Sequence, residues 1–297
     1  MRHERPTAAV PVATAPAAEA PAVLITGCSS GIGRATALAA VRAGLPTWAA
    51  ARRPEESLGE LAAAGCRILR LDVTDEQSRL AAVRAVEEVH GAVGALVNNA
   101  GYSQIGPVEE VPLGELRRQF ETNVFGLVRL SQLVLPGMRA RRRGTIVNLG
   151  SAAGLVVPPA SAAYSMTKYA LEALCDALRL EVGGYGIRVV LVEPGAVRSG
   201  FMTTGWATMP TEAAEGDPYA GYKANLAKMV ERTHRPGARG ILDADDVARV
   251  VLKAITSRRP KTRYPIGSQA RLAPIVRRMA GDRLWDRLMN AAVPADR

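Results

Sequence analysis

The stretch Ala22-Val23-Leu24-Ile25-Thr26-Gly27-Cys28-Ser29-Ser30-Gly31-Ile32-Gly33 decides the fold of this 297-residue chain. Its first five residues form an uninterrupted apolar run ending in threonine, the pattern of a strand buried on both faces of a parallel sheet. The glycines turn the chain sharply, and the residues that follow, to about residue 43, read as a helix. A helix start offers unpaired N–H groups and the positive end of the dipole, which together favour an anion. Small residues in the turn let a pyrophosphate come close to the backbone, so Gly27, Ser29, Ser30, Gly31, Ile32 and Gly33 are candidate cofactor ligands. A plain structural turn is the alternative reading of these residues alone.

Outward from this turn, short apolar runs alternate with longer amphipathic ones. Further strands are expected at 46–51, 67–71, 95–98, 144–149 and 187–193. Helices are expected at 75–89, 113–139, 162–182 and 244–257, the last begun by Asp243, Asp245 and Asp246. This alternation predicts an α/β fold, a doubly wound parallel sheet with helices on both faces. Ligands then bind beyond the carboxyl ends of the strands, where the winding reverses. Residues 200–240 show little periodicity and read as an irregular lid or binding loop. The chain divides into a disordered lead-in (1–20), a catalytic domain (21–260) with this variable loop, and a tail (261–297) holding the last strand and a basic helical extension.

Composition bounds the function classes. Hydrophobic residues make up 48% of the chain, enough for a large core, and no apolar run approaches the length of a membrane span. Three widely spaced cysteines, Cys28, Cys66 and Cys175, suggest neither a disulfide framework nor a zinc site and fit a reducing, cytoplasmic setting. The histidines, His3, His90 and His234, lack ligand spacing, so no metal site is expected. The net charge is +10, and from Arg258 to Arg297 ten Lys/Arg stand against three Asp. Such a tail reads first as a solvated helix face. It also allows weak contact with a membrane surface, and no nucleic-acid partner is expected.

Residues at the other strand ends extend the pattern. The second strand ends in Arg52-Arg53, with no carboxylate for a ribose 2′-hydroxyl and two guanidiniums suited to a 2′-phosphate, which favours NADP over NAD. Asp72-Val73 can meet an adenine, and Asn99 and Gly101 lie in a small-residue turn after the fourth strand. Ser151 follows the fifth. Tyr164 and Lys168 lie at i,i+4 on one helix face, where an ammonium can stabilise a phenolate and make the tyrosine an acid/base. Ser151 can hydrogen-bond a substrate oxygen, and the Asn123 amide can hold a water that passes protons to the lysine. Met166, Trp206, Met209 and Tyr219 are candidate substrate-pocket residues, whereas Trp285 is expected to pack a terminal helix onto the core.

With TGCSSGIG, NNAG, the TNV asparagine, and Ser151 with YSMTK in this order, the chain resembles the short-chain dehydrogenase/reductase family from about Pro21 to Ser199. The resemblance implies a Rossmann-type sheet of about seven strands, a nicotinamide cofactor, and Asn123, Ser151, Tyr164 and Lys168 as a catalytic tetrad. It implies that Lys168 also bonds the nicotinamide ribose, that Val197 lies near the carboxamide, and that Ser199 stands where the family commonly has threonine. Members often pair the long helices carrying Asn123 and Tyr164, so a dimer or tetramer is implied. The chain is also similar, more loosely, to members acting on steroids, retinoids and other lipophilic alcohols.

The expected activity is hydride transfer between NADP(H) and a carbonyl or secondary alcohol of a lipophilic small molecule. Two alternatives stand beside it: a reductase of acyl-carrier-bound β-keto groups, and a catalytically silent NADP-binding regulator.

Overall fold

The computed structural model describes residues 20–209, 216–234 and 240–294. The expected lead-in, His3 and parts of the 200–240 segment therefore lie outside the described residues. Seven strands form one parallel sheet: β1 (Val23–Thr26), β2 (Thr47–Ala51), β3 (Arg67–Arg70), β4 (Ala95–Asn98), β5 (Gly144–Leu149), β6 (Ile187–Pro194) and β9 (Arg263–Ile266). Their spatial order is β3-β2-β1-β4-β5-β6-β9. The two short strands β7 (Val197–Arg198) and β8 (Leu242–Asp243) pair separately. The winding reverses between β1 and β4, so the crevice beyond their carboxyl ends is where this topology binds ligands.

The period-two pattern of β1 builds both layers of the core. Leu24 points to one side, into a cluster with Val83, Val86, Leu130, Val134 and Leu171. These come from the helices Glu76–His90, Gly126–Ala140 and Ala162–Val182. Val23 and Ile25 point to the other side, against Ala37, Val247 and Val251 of the helices Gly31–Arg42 and Ala244–Thr256. All three β1 residues are fully buried, which explains why the strand reads as continuous rather than alternating.

Local signals place the helix ends. Asp75 accepts from the Ser78 backbone N–H at 2.7 Å, and Gly91, at φ +70°, ends the same helix in the left-handed conformation glycine tolerates. His90 closes that helix and meets Trp48 edge-on, with ring centres 6.1 Å apart. Asp243, Asp245 and Asp246 start the helix Ala244–Thr256 as expected, the Asp243 N–H donating to Asp246 Oδ2 at 2.9 Å.

Three features differ from the sequence expectation. The long helix through Asn123 is interrupted by a π turn, Glu121–Phe125, between Leu113–Phe120 and Gly126–Ala140. Gly126 follows it because the helix passes close to the chain after β3; a Cβ there would lie 2.4 Å from the Val73 carbonyl oxygen. The 200–240 segment contains two helices, Gly200–Trp206 and Ala220–His234. In the second, Tyr222, Leu226 and Met229 recur at helical spacing and pack with Ile105 and Val293, a contact assembled from three distant segments. Finally, Arg263 of the basic tail is no solvated charge: it bonds Glu172 (3.0 Å) and Asp176 (2.8 Å), tying β9 to the helix that carries Tyr164 and Lys168.

Candidate active site

The turn after β1 is shaped for an anion. Gly27 and Gly31 take positive φ values, +70° and +55°. The helix Gly31–Arg42 begins with no acidic residue in its first turn, leaving its N-terminus electropositive. Gly33 sits behind the turn, where a Cβ would lie 2.4 Å from the Gly27 carbonyl oxygen and 2.5 Å from Asn99 Nδ2. Asn99 locks the turn by donating to the carbonyls of Thr26 (2.9 Å) and Gly27 (3.1 Å). Thr26 reciprocates, its Oγ1 accepting from the N–H groups of Asn99 (3.0 Å) and Ala100 (2.9 Å). The sequence reading passed over Thr26 because its role depends on β4 lying alongside.

This packing makes a direct prediction. Gly33→Ala forces the helix away from the turn, and overpacking of backbone against backbone costs about 1–3 kcal/mol. Thermal unfolding should show a lowered Tm together with weakened nicotinamide binding. An unchanged Tm would show that the helix has room to move.

The strand ends open onto one cavity of about 1530 Å³. It is lined by Gly27, Ser29, Ser30, Gly31 and Ile32, by Arg52, Asp72 and Val73, and by Asn99 and Gly101. Ser151, Tyr164, Lys168, Val197 and Ser199 line it from the other side. Gly33, Arg53 and Asn123 are not among the lining residues. Gly33 supports the turn from behind, and Arg53 turns instead to Glu56 at 3.2 Å. Arg52 is exposed in the cavity wall at the end of β2, and no acid shares that strand end. Asp72 Oδ1 accepts from the Thr74 backbone N–H (2.9 Å) and hydroxyl (2.7 Å), which orders the loop after β3.

Ser151, Tyr164 and Lys168 meet where β5 ends and the helix Ala162–Val182 begins. Ser151 Oγ accepts from the Ala153 N–H at 3.1 Å, and Ser151 and the Tyr164 phenol line the same cavity. Lys168 Nζ donates to the Leu149 carbonyl at 2.6 Å and lies 5.5 Å from the centre of the Tyr164 ring. Burial dominates the acid–base state of both groups. It pushes the Tyr164 phenol up to about 12, with the Ser151 hydrogen bond opposing, and draws the Lys168 ammonium down to about 8. The sequence expectation of a tyrosine acidified by the neighbouring lysine is thus outweighed by desolvation in the chain alone.

Asn123 is buried in the π turn, and its side chain is engaged by the protein. Its Nδ2 donates to the Tyr102 carbonyl (2.9 Å) and Thr167 Oγ1 (3.2 Å), and its Oδ1 accepts from the Tyr102 N–H (3.1 Å). The amide therefore clamps the loop after β4 to the Tyr164 helix.

On the substrate side, Phe201 packs edge-on to Tyr164 with ring centres 5.5 Å apart. It was missed because it opens the segment that reads as irregular. Trp206 lines the cavity as expected, whereas Met209 packs in the small cluster with Ile105 and Leu226 beside it. Met166 is exposed and does not line the cavity, and the Tyr219 hydroxyl donates to Glu109 at 2.6 Å. Trp285 lines the cavity together with Met289 instead of packing on the sheet core, because Gly281 (φ +68°) breaks the last helix and redirects it. The His234 side chain lies outside the described residues.

Among the described residues no cluster of His, Cys, Asp or Glu could hold a metal, and all three cysteines are buried and free. No described helix is long and apolar enough to cross a membrane.

Comparison with known proteins points the same way. The short chain dehydrogenase family matches residues 21–210. The chain is 33% identical to an NADPH-dependent 3-dehydrocapnine reductase of Ornithobacterium rhinotracheale, over 89% of this chain and 94% of the relative. Among solved structures, a short-chain dehydrogenase from Streptomyces avermitilis superposes with a TM-score of 0.75 at 35% identity, covering 93% of this chain and 99% of that one. A serine dehydrogenase complexed with NADP+ superposes with a TM-score of 0.71 at 25% identity, covering 82% and 94%.

Proposed function

Because this chain belongs to the short chain dehydrogenase family of oxidoreductases, which use a nicotinamide cofactor, we propose that it reduces a ketone on a lipophilic molecule with NADPH. The observation that carries this reading is the convergence of Ser151, Tyr164 and Lys168 on the cavity that the glycine turn also lines. Gly27, Ser29, Ser30, Gly31 and Ile32 would cradle the pyrophosphate, with Gly33 behind them. Asp72 and Val73 would face the adenine, while Asn99, Gly101, Val197 and Ser199 would border the nicotinamide half. NADPH, when bound, supplies the hydride.

The chain's own residues handle the oxygen and the proton. Ser151 donates a hydrogen bond to the substrate carbonyl and holds it beside the phenol. Tyr164, kept protonated by its raised pKa, gives its proton to that oxygen as negative charge builds there. Lys168, held by Leu149, stabilises the phenolate left behind and bonds the ribose. Asn123 acts as a positioning residue that fixes the loop after β4 against the helix carrying both groups. A raised phenol pKa suits proton donation, which favours the reducing direction.

Arg52 supports NADPH over NADH, and the named relative is NADPH-dependent. Phe201, Trp206, Met289 and Trp285 in the cavity support a lipophilic ketone over a small hydrophilic one. Self-association as a dimer or tetramer is supported by Leu113, Phe125 and Met166, exposed on the helices expected to pair.

The test is NADPH consumption by the purified chain, followed at the nicotinamide absorbance band across a series of ketones of rising chain length. Turnover rising with chain length is expected. Absence of both turnover and nicotinamide binding would overturn the reading. Arg52→Asp should lower kcat/KM with NADPH by about ten- to a hundredfold, the worth of one charge-assisted hydrogen bond, and raise it with NADH. An unchanged cofactor ratio would remove Arg52 from the 2′-phosphate site.

A further inference from the structure

The last helix, Gly267–Ala292, has an unusual surface. Its packed side is made by Ala270, which is buried, and by Arg277, which donates to the Tyr169 hydroxyl at 3.2 Å. Opposite them, at i, i+3, i+4 and i+7, stand Leu272, Ile275, Val276 and Met279, and all four are exposed. Met279 reaches 83% exposure and Ile275 56%. Helical geometry places these four on one stripe facing away from the protein. Beyond the break at Gly281 the pattern repeats: Leu284 and Leu288 are exposed at i,i+4, while Trp285 and Met289 face the cavity. A contiguous apolar surface of this kind marks an interaction site.

Charge indicates what covers it. The helix carries five arginines against two aspartates, and Arg271, Arg278, Arg283 and Arg287 are all exposed beside the apolar stripe. A second copy of this chain would set those arginines against their own counterparts. An anionic bilayer instead offers phosphate oxygens to the guanidiniums and an acyl boundary to the leucines, isoleucine, valine and methionine.

We propose that the exposed face of the helix Gly267–Ala292, with Leu272, Ile275, Val276 and Met279 as its apolar anchor and the flanking arginines as its anionic-headgroup contacts, seats the protein on an anionic lipid surface. The helix lies in the plane of the interface, its apolar stripe at the boundary between headgroups and acyl chains and its other side against the protein. Membrane seating does not depend on the chemistry of the active site. Its consequence for substrate does rest on the oxidoreductase reading: Ala273, Trp285 and Met289 of the same helix line the cavity, so a lipophilic ketone dissolved in the bilayer reaches the site without crossing water.

The experiment is cosedimentation of the full chain with vesicles of phosphatidylcholine and phosphatidylglycerol in equal parts, and with phosphatidylcholine alone. Binding is expected to the mixed vesicles, falling with added salt as exposed charges are screened. The double variant Ile275→Glu/Met279→Glu alters only exposed side chains and should bind about tenfold less while retaining nicotinamide binding. Arg278→Glu/Arg287→Glu should lose the preference for phosphatidylglycerol.

Three results in the vesicle experiment would overturn the proposal. One is failure of the full chain to bind either vesicle, and another is equal binding by the full chain and Ile275→Glu/Met279→Glu. The third is appearance of binding only after residues 1–19 are removed, which makes that segment the occupant of the face. Sedimentation equilibrium without lipid adds a further check: an assembly that Ile275→Glu/Met279→Glu dissociates would make a second copy the occupant and also overturn it. Because vesicle binding is read without turnover, failure here leaves the reductase reading untouched, and failure of ketone reduction leaves membrane seating untouched.

Discussion

Tyr164→Phe is expected to lower kcat/KM for ketone reduction by about a thousandfold, the worth of a positioned general acid, or about 4 kcal/mol of barrier. The substitution removes one oxygen and keeps the ring that packs edge-on against Phe201. Folding and nicotinamide binding should therefore persist, and fluorescence titration with NADPH separates a chemical loss from a structural one. The Ser151 hydroxyl still reaches the substrate oxygen, so residual turnover reports the hydrogen bond and cofactor placement alone. Activity within tenfold of the parent would mean that the proton comes from another donor. Loss of NADPH binding alongside activity would mean that the phenol holds the cofactor more than it serves the reaction.

Lys168→Met carries the second large effect, a fall of about a hundredfold, and it changes the pH profile as well as the rate. The thioether stem fills the space of the lysine chain, but the Leu149 carbonyl loses its 2.6 Å partner. Burial draws the Lys168 ammonium down to about 8, so the cation is present below that pH and lost above it. Tyr164, raised to about 12, stays protonated over the same range and contributes no limb there. Reduction should therefore decline as pH rises through about 8. The Met variant should be slow and flat across that window. Lys168→Arg keeps a cation at every accessible pH, so it should recover part of the rate and show no decline near 8. A decline near 8 that survives in both variants would assign the limb to another group.

The Phe and Met variants together separate the two roles. In the proposed mechanism Tyr164 meets the reacting oxygen, so its loss should affect kcat across the accessible pH range. In the same mechanism Lys168 would act on both the phenolate and the ribose, so its loss should affect KM for the cofactor as well as kcat.

How much of this was legible in sequence follows from the range of the interactions. The turn at Gly27–Gly33, the i,i+4 pair Tyr164/Lys168 and the acids before residue 247 are written in consecutive residues. Each depends on backbone freedom, helix periodicity or capping, all of which act over a few positions. The parallel sheet was legible because strands buried on both faces must be apolar throughout. Strand ends then fell in order along one edge, which brought Arg52, Asp72, Asn99 and Ser151 to a single cavity.

Other features needed the folded chain. The pKa values of Tyr164 and Lys168 depend on how much water the surrounding elements exclude, which no spacing encodes. Asn123 is engaged because Tyr102 and Thr167 come from two other segments to meet its amide. Trp285 lines the cavity because one glycine redirects a helix, and Phe201 covers Tyr164 because the turn after β6 returns across the site. The basic tail resolved into parts with different uses: Arg263 tethers β9, Arg277 docks its helix, and Arg278, Arg283 and Arg287 stand in solvent.

By itself the amino-acid sequence determined the layers, the strand–turn–helix at the glycine turn and the helical spacing that puts Tyr164 and Lys168 on one face, because these rest on local periodicity and on short-range chemistry. Only the tertiary structure decided which of those side chains share one cavity, which charges stay free to meet a partner, and how strongly burial holds the Tyr164 proton. Desolvation and long-range contact are properties of the packed whole, and a linear pattern carries them only through the fold it specifies.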